Sequence, residues 1–306
     1  MRRKQLLDWL VYVVVRILIC WVQAMRLETG QRMARWLARL FSDVLRVRSG
    51  VVDENLAHAF PELSAGDRRR LARQMWEHLF LLVLEVAHVP RKVHETNWRR
   101  FLRLRNTAPL IRHLISRRPV IVVTGHFGNF EVGGYALGIL GFPTHSVART
   151  LDNPYLDRFL ARFRGATGQH LIPKNGGYEQ ILNVLGGGGT MAFLADQYGG
   201  EKGCWVEFFG RPASAYKAIA LLALEHDAPL AVCYARRLDR PMQFEMVTHG
   251  LADPRDTPGD VGSVHELTQW YTRGLEEGIR EAPEQYWWLH RRWKDMRKQR
   301  AARRAA

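Results

Sequence analysis

The sequence predicts an α/β fold, a mainly parallel central sheet flanked by helices, with an amino-terminal helical lobe and a membrane-associated amino-terminal helix. Three observations carry that expectation. From about residue 107 onward, short β-branched runs alternate with segments of helical length, the pattern of α/β crossovers. Residues 27 to about 95 show helical periodicity without such runs. Before them lies an apolar stretch with basic residues on both flanks. No internal repeat or low-complexity linker interrupts this order, and 47% apolar residues can fill a sizeable core.

The chain begins with Arg2, Arg3 and Lys4 and then runs apolar from residue 5 to 25. Roughly 20 such residues span a bilayer. Asp8 and Arg16 oppose full insertion, and Arg26, Arg32, Arg35 and Arg39 follow, so the distribution of positive charge favours no crossing. Residues 1–26 are therefore expected to form an interfacial or tilted anchor, with a single span as the alternative. No small-residue cleavage site follows the run, which argues against a signal peptide. Cys20 is preceded by Ile19 rather than the small residue a lipidated cysteine requires.

Residues 27–95 read as a helical lobe. Ser64 is a good N-cap for a helix through His88, with Leu71, Met75, Trp76, Leu79, Leu82 and Leu84 on its apolar face. Beyond it, strands are predicted at Val120–Thr124, Thr144–Ala148, Thr190–Ala195 and Leu230–Tyr234, with helices at 127–140, 153–165, 176–185 and 214–226. Gly186–Gly189 precedes a strand, so it reads as a helix-ending turn and not a phosphate cradle. Residues 263–306 read as helix ending in a dense basic run that includes Arg291, Arg292, Lys294, Arg297 and Lys298. The expected organisation is an anchor at 1–26, a helical lobe at 27–95 and an α/β domain at 96–306 with a basic carboxyl-terminal helix.

Lys and Arg outnumber Asp and Glu by 45 to 30, a net charge of +15, which points to an anionic partner: nucleic acid, anionic lipid or a phosphorylated substrate. Cys20, Cys204 and Cys233 have no C-x-x-C spacing, so neither zinc nor a disulfide framework is indicated, and no metal or cofactor is expected.

In α/β sheets the functional groups sit at the carboxyl ends of strands. His126, Arg149 and Asp196 each fall just past a predicted strand end and are expected to converge on one cleft. His126 and Glu131 flank a turn built on Gly125 and Gly128. Their spacing alone is weak, because it recurs at His290 and Asp295; the strand, the glycines and the following helix set the first pair apart. A neutral imidazole near pH 7 is a suitable base for an alcohol if its second nitrogen is held by an acceptor. Glu131 is placed to be that acceptor, and Gly128 and Asn129, between the pair, are expected to contact substrate. Neither a Gly-x-Ser-x-Gly elbow nor a His-Glu-x-x-His helix occurs. With a base and no evident nucleophile, direct attack of a bound hydroxyl on an activated acyl group is the economical mechanism, with backbone N–H groups at the helix start or an arginine stabilising the oxyanion.

Arg149 follows a strand and is a candidate phosphate ligand, with Arg158, Arg162 and Arg164 extending the charge along the next helix. For Arg158 and Arg162 a solvated basic face is the plainer reading, and for Asp196 a structural salt bridge. Pro283–Lys294 interleaves aromatics with cations, which suits stacking on single-stranded nucleic acid or a seat at a lipid headgroup layer. The apolar amino terminus favours the headgroup. No nucleic-acid motif is visible, so nucleic acid is the distant alternative. A hydrolase of the same fold is a third reading.

Asn55–Glu62, Gly125–Glu131, Asp152–Pro154, Phe208–Gly210 and Pro283–Lys294 together resemble the bacterial lipid A late acyltransferases, a branch of the glycerolipid acyltransferase superfamily with a histidine, four residues, acid motif. The resemblance covers nearly the whole chain. It implies transfer of a fatty acyl chain from acyl carrier protein, or coenzyme A in some members, to a hydroxyl of a phosphorylated glycolipid at the cytoplasmic face of the inner membrane. By position, His126 and Glu131 match the family's catalytic pair, and Arg164 and Asp196 match two further functional positions. Phe130 stands where many members have Trp. Relatives with this pattern also acylate mannosylated phosphatidylinositol, so the acceptor is implied less firmly than the reaction.

Overall fold

Residues 3–256 and 261–294 are described by a computed structural model. Four helices come first: α1 (Arg3–Ala24), α2 (Leu27–Arg39), α3 (Ser49–Ala59) and α4 (Ala65–Lys92), with a π-helical turn at Leu40–Val44 continuing α2. Helix α1 leans on the rest of the chain along one side only. Its Asp8 carbonyl accepts a hydrogen bond from Asn153 at 2.8 Å, the Tyr12 ring packs on Tyr155 and Phe159, and the Arg16 guanidinium lies 4.7 Å above the Phe159 ring. Asp8 through its backbone carbonyl and Arg16 through its guanidinium thus touch the protein. Leu6, Leu7, Leu10, Val14, Ile17, Leu18 and Trp21 are left exposed on the helix.

In α4 the Ser64 hydroxyl caps the helix by accepting from the Asp67 N–H, as the sequence suggests, and the helix continues past His88 to Lys92. Its buried stripe also takes in His78, Glu85 and His88. Two of these, His78 and Glu85, support the site.

The α/β part runs β1 (Leu102–Arg105), α5 (Ala108–Leu114), β2 (Val120–Thr124), α6 (Phe130–Ile139), β3 (Thr144–Ala148), α7 (Pro154–Gly165), β4 (Gln169–Pro173), α8 (Tyr178–Gly186) and β5 (Thr190–Leu194). There follow an antiparallel hairpin of β6 (Cys204–Phe208) and β7 (Arg211–Ala215), then α9 (Lys217–Glu225), β8 (Leu230–Arg237), β9 (Phe244–Ala252) and α10 (Val264–Glu281). Seven strands form one sheet in the order β1-β9-β8-β2-β5-β3-β4, parallel at every junction but β8 with β9. The fold is therefore α/β with a mainly parallel sheet, as expected. Strand β2 lies near the middle and its first four residues are buried, which is why it reads as an unbroken β-branched run. The edge strands β1 and β4 carry polar residues (Arg103 and Arg105, Gln169 and His170) and gave no such signal; neither was anticipated, nor were β9 and the hairpin.

Two sequence expectations are corrected at the carboxyl end. Helix α10 starts where predicted, with Ser263 and Glu266 forming a capping box, but it stops at Glu281. Ala282 and Pro283 end it, and residues 286–294 form an irregular segment; residues 295–306 lie outside the described residues. Nor do the aromatics of this segment sit at a headgroup layer or present a stacking platform. Tyr286, Trp288 and Arg292 are each no more than 2% exposed. Trp288 lies in a core with Leu56, Phe60 and Met75 of the lobe and Phe127 and Phe208 of the α/β part, so lobe and sheet share one interior. Asn55 of α3 fastens the segment by donating to the Trp288 and His290 carbonyls, each at 2.7 Å.

Candidate active site

Register explains how the site forms. Strands β2 and β5 are parallel neighbours that end together, Thr124 opposite Leu194, and the Ala195 N–H donates to the Thr124 carbonyl at 2.8 Å. Two residues beyond each end stand His126 and Asp196. The His126 Nδ1 is 2.9 Å from Asp196 Oδ1, and the His126 backbone N–H donates to Oδ2 at 3.0 Å. Gly125 permits this approach, because a Cβ there would lie 3.2 Å from the Asp196 Cβ and Cγ.

Asp196 is 2% exposed. Burial alone would raise its pKa, but the His126 charge, the two His126 hydrogen bonds and His290 together hold it below the ordinary carboxylate range. A carboxylate there only accepts, so Nδ1 carries the proton and Nε2 presents the lone pair. The ring is held by Trp287, stacked at 5.0 Å and 20°, and by the edges of Phe130 and His290 at 5.2 and 5.1 Å. Burial and the neighbouring His126 lower the pKa of His290, which favours its neutral form.

The predicted partner of His126 is thus replaced. Glu131 lies on the first turn of α6 and pairs with Arg164 of α7: the Arg164 Nε donates to Oε2 at 3.0 Å, and Nη2 donates to Oε1. Five residues of turn and helix carry Glu131 away from the imidazole, whereas strand register brings Asp196 to it. Arg149 does not converge with the pair either. Its side chain is 79% exposed and meets Asp152 at 3.2 Å.

Gly128 and Asn129 are corrected from substrate contacts to structural parts of the turn. Gly128 has φ +60°, and a Cβ would fall 2.1 Å from the Ala235 carbonyl oxygen. Its N–H donates to the Gln285 carbonyl and its own carbonyl receives His78 Nε2 at 3.2 Å. The buried Asn129 caps α6 by accepting from the Val132 N–H, while its Nδ2 donates to Glu85 at 3.0 Å. The N–H groups of Gly128, Asn129 and Val132 are thereby already used, which removes them as oxyanion donors.

Behind the turn, Glu85 is 0% exposed and receives Arg237 through two hydrogen bonds of 2.6 and 2.7 Å, plus the Met242 N–H at 3.1 Å. Burial and Arg237 push the His78 pKa well down, so its neutral ring donates through Nε2 to Gly128 and accepts at Nδ1 from Arg237. These residues were missed in the sequence. Their signal was present: a glutamate and two histidines within the apolar stripe of α4 are too polar for a core without partners.

The chain matches the family described as bacterial lipid A biosynthesis acyltransferase across residues 2–295. It belongs to that family. The protein is therefore an acyltransferase. Among similar proteins are a lipid A biosynthesis palmitoleoyltransferase of Escherichia coli (strain K12) and a lipid A biosynthesis acyltransferase of Shigella flexneri, each 26% identical over 292 residues covering 94% of this chain and 91% of the relative. A lipid A biosynthesis lauroyltransferase of Escherichia coli (strain K12) is 24% identical over 293 residues, covering 94% and 92%. In this acyltransferase the His126–Asp196 dyad offers a base with its tautomer set, and Glu131 and Arg164 form a second charged pair bridging α6 and α7.

Proposed function

We propose that the protein transfers a fatty acyl chain from the thioester of an acyl carrier protein, or of coenzyme A, to a hydroxyl of a phosphorylated lipid A-type glycolipid precursor at the cytoplasmic face of the inner membrane. The observation that carries the reaction is the 2.9 Å contact between His126 Nδ1 and the buried Asp196 carboxylate. With Nδ1 held by Asp196, Nε2 takes the proton of the acceptor hydroxyl as its oxygen attacks the acyl carbonyl. Asp196 stabilises the imidazolium that results. The tetrahedral intermediate collapses with cleavage of the C–S bond, and His126 returns the proton to the departing thiolate. The new C–O bond completes the ester without a covalent acyl-enzyme.

Glu131 holds Arg164, and Arg164 is the cation proposed to meet an anionic group of the substrate. Arg149, exposed past the end of β3, is proposed as a peripheral phosphate contact. The exposed apolar side of α1 supports a membrane-bound acceptor: 22 residues make a helix about 33 Å long, comparable to the roughly 30 Å hydrocarbon layer.

The test is a membrane preparation containing the protein, given acyl carrier protein or coenzyme A thioesters and a phosphorylated glucosamine-disaccharide lipid, with products read by mass spectrometry. A gain of one acyl chain on the acceptor, lost in His126→Ala, is expected. Acylation of a mannosylated phosphatidylinositol alone, or release of free fatty acid with no acylated lipid, overturns the reading.

A further inference from the structure

The amino-terminal lobe holds a cleft that the proposed chemistry does not use. It has a volume of about 630 Å³ and opens where the π-helical turn at Leu40–Val44, α3 and the first turns of α4 meet. Arg46, Arg68, Arg69 and Arg73 line it against two acids, Asp43 and Asp53. Both acids are taken. Asp43 pairs with Arg73 at 2.8 Å, and Asp53 with Arg68 at 2.7 Å. Arg46 and Arg69 are exposed and, among the described residues, enter no ion pair. Arg46 and the neighbouring Arg48 also occupy left-handed backbone positions, φ +48° and +54°, where glycine would fit with less strain. The cleft therefore carries an excess of positive charge.

Such an excess suits an anionic partner, and the rim narrows its kind. Val44 and Leu45, between Asp43 and Arg46 in the chain, are 71% and 55% exposed. Apolar side chains beside unpaired arginines match the surface of an acidic protein, whereas a nucleotide phosphate would use the charges alone.

Helix α4 fixes where this surface lies. Toward its carboxyl end it meets α1, where Gln23 donates to the Ala87 carbonyl. In its middle His78 holds the Gly128 carbonyl at 3.2 Å, at the turn that carries His126. Arg69 precedes His78 by nine residues and Ala87 by eighteen, about 14 and 27 Å along the axis. The cleft is thus set apart from the attachment of the apolar helix and lies closer to the dyad. Helix α3 makes the same link. Asp53 lines the cleft, and Asn55, two residues on, donates to the carbonyl of His290, whose ring lies 5.1 Å from that of His126.

We propose that this cleft is the docking site of the acidic carrier protein that delivers the acyl thioester. Arg46 and Arg69 meet its carboxylates, and Val44 and Leu45 meet its apolar contact. Its flexible prosthetic arm carries the thioester past α3 and α4 to the dyad. The inference rests on the proposed acyl transfer and selects the carrier protein over coenzyme A as donor.

Steady-state kinetics with two donors of the same acyl chain, an acyl carrier protein thioester and a coenzyme A thioester, tests the site. In Arg46→Glu combined with Arg69→Glu, KM for the carrier thioester is expected to rise about tenfold or more, with kcat and the KM for the glycolipid acceptor unchanged. Coenzyme A thioester is expected to be a poor donor whose KM the variant leaves in place. Should the glutamates unfold the protein, Arg46→Gln combined with Arg69→Gln is expected to raise the carrier KM in the same direction. An unmoved carrier KM in a folded variant, or an equal rise for coenzyme A, overturns the proposal. Loss of vesicle sedimentation in the Glu variant also overturns it, because the cleft would then be a lipid contact.

Binding can be read without turnover. An acyl carrier protein bearing a non-transferable acyl amide, followed by biolayer interferometry, is expected to bind less tightly as salt rises and about tenfold less tightly to the Glu variant. Equal binding to the variant and the unaltered protein overturns the docking site. Binding of the carrier without acyl transfer by the unaltered protein would instead sink the proposed function.

Discussion

At the scale of single residues, the site separates two acids that the spacing alone treats alike. Asp196 holds the imidazole, and Glu131 holds an arginine. His126→Ala is expected to lower kcat by about 10²- to 10⁴-fold, as removal of a general base does, and also to lower the melting temperature, because it strips the buried Asp196 carboxylate of its imidazole partner. Asp196→Asn is expected to lower kcat by about 10⁴-fold or less, because the amide permits the wrong tautomer. Steady-state kinetics on both variants check this. Glu131→Gln and Arg164→Met are expected to raise KM for the acceptor without adding to each other, since each disables the same pair. Additive losses would show that Glu131 works apart from Arg164.

At the scale of elements, the turn between β2 and α6 is held from three sides: by β8 through Ala235, by Gln285 and Trp287, and by α4 through His78 and Glu85. Gly128→Ala would place a Cβ against the Ala235 carbonyl at a positive φ, so a destabilisation of more than about 2 kcal/mol is expected in denaturant unfolding. Glu85→Ala would strand Arg237, at an expected loss of about 3–5 kcal/mol. His78 adds a pH dependence. Its folded pKa is depressed, so its contribution to stability is complete above the ordinary histidine value of 6.5 and is lost as pH falls below it. The melting temperature should fall from pH 7 toward pH 5, and His78→Gln should flatten that slope.

At the scale of the whole molecule, α1 joins a catalytic body to an apolar face that nothing among the described residues covers. Its protein side carries Asp8, Tyr12, Arg16 and Gln23, the last donating to the Ala87 carbonyl at 2.8 Å. An exposed patch of this kind marks a contact with lipid or another apolar surface. Replacing Leu10, Val14, Ile17 and Leu18 by serine is expected to move the protein from the pelleted to the soluble fraction in vesicle sedimentation. Acyl transfer in detergent micelles should persist. Retention of vesicle binding would assign the lipid contact to another face.

The local pattern by itself determined much of this protein. The buried runs of β2 and β5, the Ser64 cap and the glycines around His126 are near-neighbour signals, and they carried the α/β class, the strand ends and the candidate catalytic histidine. Only the tertiary structure decided which acid serves His126, because Asp196 lies 70 residues away and arrives through strand register, while Glu131 is close in sequence but carried off by α6. The same holds for the buried groups. His78 and Glu85 lie on the apolar stripe of a helix and Arg237 at the end of a strand, and each acquires its partners from distant elements. Short-range pattern sets burial and secondary structure, whereas a buried charge is defined by what the fold brings to it.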